Sequence, residues 1–345
     1  MRLALLLTVI LFSTLSIAQI GGGTTYQFLN LENSARIAAS GGNLIAVKDN
    51  DLSLGFYNPA LLNESMHGFM GLNHVNYVGD VNYSYAGYAH HIENVATFSG
   101  TIQYLNYGKF KRTDEFGTEQ GEFSANELAL VFGVGHEFDS LFSIGANLKI
   151  VNSVLESYSS FGIGFDIAGT YHRKAKGFVA SAVVKNAGVQ LSKYTSGNKE
   201  KLPFEVQLGF SKKLAHAPFR FHAAFTNLQQ WDLTYSDPNA VQQIDPITQL
   251  PIEEQEPGFG DKLMRHIILG LEFVPTKNFF IDLGFDYRRR KELSVEARPG
   301  LVGVSMGGGF KLKKFHLAYA RSSYHRASGA HHITISSKLS YWTKK

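Results

Sequence analysis

The chain has 345 residues, 33 Lys and Arg against 29 Asp and Glu, a formal net charge of +4 and no cysteine, which excludes disulfide scaffolds, Cys-ligated zinc and thiol chemistry. Its basic residues are scattered without a dense run, so no electrostatic footprint for nucleic acid is present. With 34 Gly, 26 Phe, 16 Tyr and only 9 Pro the composition favours β structure, and past the N-terminal leader no stretch approaches the roughly 18 uninterrupted apolar residues of a membrane helix, so membrane insertion must be by a barrel.

Residues 1–18 read as a signal peptide. Arg2 supplies the positive start, Leu3 to Phe12 the apolar core, and Ser16-Ile17-Ala18 the small residues before cleavage, so that the mature chain begins at Gln19. The apolar core is too short to span a bilayer, and no Cys follows the cleavage site to carry a lipid. Residues 19–65 form a second unit, a hatch or plug. From Tyr26 to Leu62 the sequence does not alternate over a spanning length; it has a helix-like middle, a cap at Asn33 or Ser34, a break at Gly41-Gly42 and a turn at Asn58-Pro59. Folded inside a lumen, this segment would pack its Ala and Gly residues against inward Gly145, Gly162, Gly164, Gly209 and Gly284; a periplasmic tail is the alternative.

Residues 66–345 carry the period of a β-barrel. Phe204, Val206, Leu208 and Phe210 alternate with Glu205, Gln207, Gly209 and Ser211, and Phe161 to Ile167 alternate with Gly162 to Ala168. The same holds for Phe279 to Tyr287 against Phe280 to Arg288, and for Ile333, Ile335, Leu339 and Tyr341 against Thr334, Ser336, Lys338 and Ser340. Charges on the second face are tolerable where that face lines a polar lumen. Segments near 69–78, 81–90, 96–105, 126–137, 141–153, 160–172, 177–186, 204–214, 219–228, 264–274, 279–289, 301–311, 315–324 and 332–342 predict an all-β, 14-stranded antiparallel transmembrane barrel. Links of even number are short and those of odd number mostly longer, notably around 109–121 and from Gln229 to Leu263; the first, Gly79-Asp80, breaks the rule. That sorting by parity is what a barrel with short periplasmic turns and longer outer loops requires.

Several motifs imitate chemistry. Gly303-Val304-Ser305-Met306-Gly307 has the G-x-S-x-G spacing of a nucleophile elbow but sits within an alternating strand rather than at a strand-to-helix turn. Gly133-x-Gly135 and Gly162-x-Gly164 lack a following helix and read as small residues where a plug meets the wall. His90-His91 and His331-His332 send adjacent side chains to opposite faces, and Asp49-Asn50-Asp51 lacks the closing Glu of a calcium loop. No catalytic, cofactor or metal site is expected. In the Pro-rich ninth link, which also holds the acidic Glu253-Glu254-Gln255-Glu256, Trp231, Tyr235, Leu250, Ile252 and Phe259 are apolar or aromatic residues among turn formers, the mixture of a partner-binding surface.

Ser34-Ala35-Arg36, Gly41-Gly42, Asp49-Asn50-Asp51 and Asn58-Pro59-Ala60-Leu61 resemble the N-terminal hatch of barrels similar to the fatty-acid transporter FadL. Ile20-Gly21-Gly22 with Tyr26 to Leu31 resembles one branch more closely, the PorQ-like barrels of the type IX secretion system, whose relative PorV shares the hatch pattern. The resemblance is one of motifs over residues 20 to 62 and of pattern beyond. It implies an outer-membrane barrel that anchors a surface partner similar to PorZ, with PorU-like and PorV-like components of the cargo-attachment complex, among outer-membrane lipid and lipopolysaccharide. It carries no catalytic residue. The alternative is a FadL-like channel for hydrophobic small molecules, which needs an apolar path, whereas the inward residues expected here include Lys149, Asp166, Glu205, Asp282, Asp286 and Arg288.

Overall fold

A computed structural model describes residues 23–77, 79–197, 199–234, 257–294, 300–325 and 328–342. The leader expected at 1–18 lies outside the described residues, as do Tyr235, Leu250 and Ile252 of the ninth link. Fourteen strands follow one another as β1 (Phe69–Asn76), β2 (Asn82–Ile92), β3 (Ala96–Thr113), β4 (Glu119–Glu137), β5 (Phe142–Leu155), β6 (Tyr158–Arg173) and β7 (Phe178–Ser192). The second half holds β8 (Glu205–Lys213), β9 (Phe219–Phe225), β10 (Ile267–Thr276), β11 (Phe279–Asp286), β12 (Val304–Leu312), β13 (Phe315–His325) and β14 (Ser328–Lys338). Each pairs antiparallel with the next, and β14 returns to β1 with Leu72 opposite Ile335, so the sheet closes and no edge is left.

Alternation along each strand sorts side chains between two faces with the polarity of a soluble protein inverted. Phe161, Phe165 and Ile167 of β6 are exposed while Asp166 between them is buried; on β8, Leu208 and Phe210 face out and Glu205, Gln207 and Ser211 face in. An exposed apolar belt around a core that buries Lys149, Asp166, Glu272 and Asp282 is stable only where lipid surrounds the outside.

The even-numbered links are all tight, the longest running only from 214 to 218. On the other side the seventh, ninth and eleventh links occupy 193–204, 226–266 and 287–303. The third departs from the expectation of a long loop, because β3 and β4 continue pairing as far as Thr113 opposite Glu119. Lys109–Glu122 at 2.9 Å and the stacked Phe110–Phe123 rings at 5.2 Å hold this ribbon together beyond the apolar belt. The 19 residues of β4 reach about 60 Å if straight, whereas the 7 of β9 reach about 24 Å, so one side of the wall stands much taller. Two strand ends also differ from the alternation. Tyr287 and Arg288 keep the parity of β11, but the Asp286 side chain accepts from Arg289 N at 3.0 Å and starts a helix, Tyr287–Leu293. Leu339 and Tyr341 belong to a 3-10 turn, Leu339–Tyr341, after β14 has ended at Lys338.

Candidate functional site

Residues 24–66 fill the lumen. Ser34 is extended, and its Oγ accepts from Ile37 N at 3.3 Å, which caps the short helix Ala35–Ala39. That helix stops because Gly41 and Gly42 turn left-handed, at φ 88° and 96°, a conformation costly for residues with a Cβ. Ala35, Ala38 and Ala39 bury against Ala320 of β13, so a face of small residues brings the helix close to the wall. Farther on, Asn58 Nδ2 donates to Ile45 O at 2.7 Å and to Thr170 Oγ1 of β6 at 3.0 Å, while its Oδ1 accepts from Ala60 N at 2.9 Å. Pro59 and Ala60 therefore lie flat on Gly145 of β5, where any Cβ would overlap their backbone. Gly284 meets Ser40 and Gly41, Gly209 meets Ile45 and Ala46, and Gly162 meets the Tyr26 ring. Of the five inward glycines named from the sequence, Gly164 alone faces another part of the chain, Leu202. Gly133 and Gly135 both face Leu62, the close plug-to-wall approach their spacing suggested.

Charges lock this packing. Arg36 donates from Nη2 to Asp49 at 2.8 Å, from Nη1 to Asp51 at 3.3 Å and from Nε to Glu272 of β10 at 2.8 Å. Arg220 of β9 pairs with the other oxygen of Glu272. Burial would raise the Asp49 carboxyl, but the Arg36 guanidinium outweighs it and holds the group down at about 2. Asp49 Oδ1 also accepts from Asp51 N at 3.1 Å, and Asp51 Oδ1 from Ser53 N at 3.1 Å, so the acidic cluster is a pair of turns clamped by one arginine. Elsewhere Ser40 hydrogen-bonds Asp282, and Lys149 Nζ meets Asp166 at 2.8 Å and Asn186 at 2.7 Å. Glu32 receives Arg289 Nη2 at 2.9 Å and the Tyr324 hydroxyl at 2.8 Å; burial acts to raise it, and the Arg289 charge brings it below the usual carboxylate range.

The ten hatch-motif residues fall on two sides of the lumen: Ser34, Ala35, Arg36, Gly41, Gly42, Asp49 and Asp51 lie beside β9 to β14, and Asn58, Pro59 and Ala60 lie against β4 to β6. Sequence reasoning missed their partners Glu272, Arg220, Glu32, Arg289 and Tyr324. Inward parity marks Glu272 and Arg220 as lumen residues, but nothing local pairs them with Arg36. Ser305 of the G-x-S-x-G string lies buried within β12, its Oγ 3.3 Å from Ser322 Oγ.

Three of the hollows among the described residues border the hatch or the wall against which it rests. A cup of about 1070 Å³ opens among the seventh, ninth and eleventh links, with Glu32, Tyr57 and Lys185 among the residues lining it. A cleft of about 160 Å³ on the side of the tight turns touches Arg36, Asp49 and Glu272. A third hollow, about 640 Å³, indents the lipid-facing wall over β8–β11, where small Ala223 sits among Phe210, Phe221, Leu269 and Phe285. Of the ninth-link residues, Trp231 and Phe259 are exposed and brought together, ring centroids 5.2 Å apart, with His266 against the other indole contact at 5.7 Å.

No family model and no curated protein matches the chain. Among solved structures it is similar to the toluene transporter TbuX of Ralstonia pickettii, with 12% identity and a TM-score of 0.53 over 90% of this chain and 99% of that one. The toluene transporter TodX of Pseudomonas putida gives 13% identity and a TM-score of 0.51, over 89% of this chain and 97% of its own. The fold is that of the FadL-like barrels. The protein is a β-barrel of the bacterial outer membrane, and both neighbours are named as toluene transporters. At such identities the likeness reaches the fold alone; it gives no support to the PorQ branch within it.

Proposed function

We propose that this protein is a FadL-like outer-membrane channel for hydrophobic small molecules. The observation that carries the reading is the shared fold, end to end, with two barrels named as toluene transporters. This reverses the order of preference drawn from the sequence, where inward charges argued against an apolar path. Lys149, Asp166, Asp282 and Glu272 do not line an open path; they pair with one another or with residues 36 to 49 and hold the hatch. Passage past the seated hatch then requires either that it shift or that the solute leave through the wall. Consistent with the second route, the apolar hollow over β8–β11 lies just outside Gly284, the glycine against which Ser40 and Gly41 rest. Uptake of labelled toluene by cells with an otherwise tight outer membrane tests the reading: expression of the chain should raise the initial rate. An unchanged rate with the folded barrel present in the membrane refutes it.

A second reading, a barrel anchoring a surface partner of a type IX attachment complex, draws on the exposed Trp231–Phe259 pair at the foot of the ninth link. Affinity purification from native membranes distinguishes it. Recovery of PorZ-like and PorU-like proteins supports the anchor, and a barrel recovered alone removes it.

A further inference from the structure

Among the described residues, the buried and half-buried cations around the hatch are matched to carboxylates, and fully buried Lys185 is not. Lys149 has Asp166, Arg36 has Asp49, Asp51 and Glu272, Arg220 has Glu272, Arg289 has Glu32, and Arg265 has Asp261. Lys185 of β7 is 1% exposed, and among the described residues no carboxylate lies within ion-pair distance of it. Its Nζ stands 4.4 Å from the centroid of the Tyr57 ring, which offers a weak attraction and no hydrogen-bond acceptor in the plane of a carboxylate. Glu205 is its register partner on β8, yet Glu205 Oε1 accepts from Asn227 N at 3.2 Å instead. A buried ammonium without a counter-charge is costly, and proteins rarely keep one unless something completes it.

Lys185 lines the cup that opens among the outer links. Lys199 and Lys201 line the same cup from the seventh link and are exposed, and no carboxylate among the described residues pairs with either. Three cations without an ion-pair partner thus line one concavity from its floor and its lip, beside the amide groups of Asn30 and Gln207. The carboxylates Glu200 and Glu205 share the lining, and its other charges, Glu32, Asp286, Arg288, Arg289 and Glu292, are paired with one another, with Arg265 and Lys291 held by Asp261. We infer that this cup is a binding site for a small hydrophilic organic anion, its carboxylate or phosphate held by Lys185 and its body hydrogen-bonded by the amides. At about 1070 Å³ the cup exceeds a bare inorganic ion several times over, so the charge belongs to a larger, oxygen-rich molecule. The site is on the outer face of the hatch and does not depend on whether hydrophobic solutes cross the barrel.

The test is calorimetric titration of the full-length protein in detergent micelles with gluconate, glycerol phosphate and neutral glucose. Gluconate or glycerol phosphate should bind with an affinity that falls as salt rises, and glucose should not; which anion is tighter separates carboxylate from phosphate as the preferred head. Lys185→Gln should weaken binding by at least about tenfold, and the Lys199→Gln, Lys201→Gln double variant by a smaller factor, since exposed charges are screened. Heat-modifiable migration identifies folded variants, and if Lys185→Gln fails to fold, the double variant and the salt dependence of the wild type decide. Binding of glucose as tight as gluconate, no binding of either anion, or a folded Lys185→Gln protein within twofold of wild type overturns the proposal.

Discussion

At the scale of single residues, Arg36 joins three carboxylates of the hatch and the wall. It ties both Asp49 and Asp51 to Glu272 of the wall, and Glu272 is 2% exposed. Replacing Arg36 by Leu removes the cation that Asp49, Asp51 and Glu272 share and leaves Glu272 with Arg220 alone, a loss of up to about 3–5 kcal/mol by the measure of a buried pair that loses one member. We expect Arg36→Leu to unseat the hatch and raise single-channel current, with the barrel still heat-modifiable. The same network gives a pH dependence with a definite sign. Asp49 is held at about 2 against an ordinary 3.8, so its contribution is complete above about pH 4, shrinks as pH falls and is gone below about pH 2. Current through the wild-type protein should therefore rise on acidification through that window, and Asp49→Asn should flatten the response. Glycines give a paired comparison. Gly145→Val places a side chain in the Pro59 and Ala60 backbone and should expel the hatch, whereas Gly100→Val points into open space on β3 and should leave current and migration unchanged.

At the scale of elements, local sequence defined the strands well and their ends less well. Alternation located all fourteen, because a side chain's face is decided within two residues of its neighbour. It failed at Tyr287, where parity continued but Asp286 captured the Arg289 amide and made a helix. Around 109–121 it missed strand, because charged residues on both faces read as loop; paired across a hairpin they stabilise a ribbon in water, outside the belt. The ninth link makes an element-scale prediction. Its flanking strands are already fixed by Phe225 opposite Ile267, so replacing residues 236–256 by a short Gly-Ser link should leave the barrel folded and heat-modifiable. Loss of a co-purifying surface protein on that replacement would locate the anchor there; unchanged uptake of toluene would show that the loop takes no part in transport.

At the scale of the whole molecule, the decisive event is closure of β14 on β1 around the hatch. Removing residues 23–62 should convert a poorly conducting barrel into one with large steady currents in planar bilayers, since the remaining wall has no other filling. A wild-type protein that already conducts like an open porin would refute the seated hatch. The sequence by itself determined the barrel: period-2 patterning, turn chemistry and the parity of link lengths are local quantities, and together they specify strand number, orientation and which face meets lipid. It also marked the hatch residues as a group through their caps, glycines and turns. Only the tertiary structure decided what those residues touch. Arg36 meets a carboxylate 236 positions away, and Glu32 a hydroxyl 292 positions away, because ring closure juxtaposes strands whose pairing no local pattern encodes. The unmatched Lys185 belongs to the same class: its inward parity is written in β7, but the lack of a counter-charge is a property of the assembled lumen.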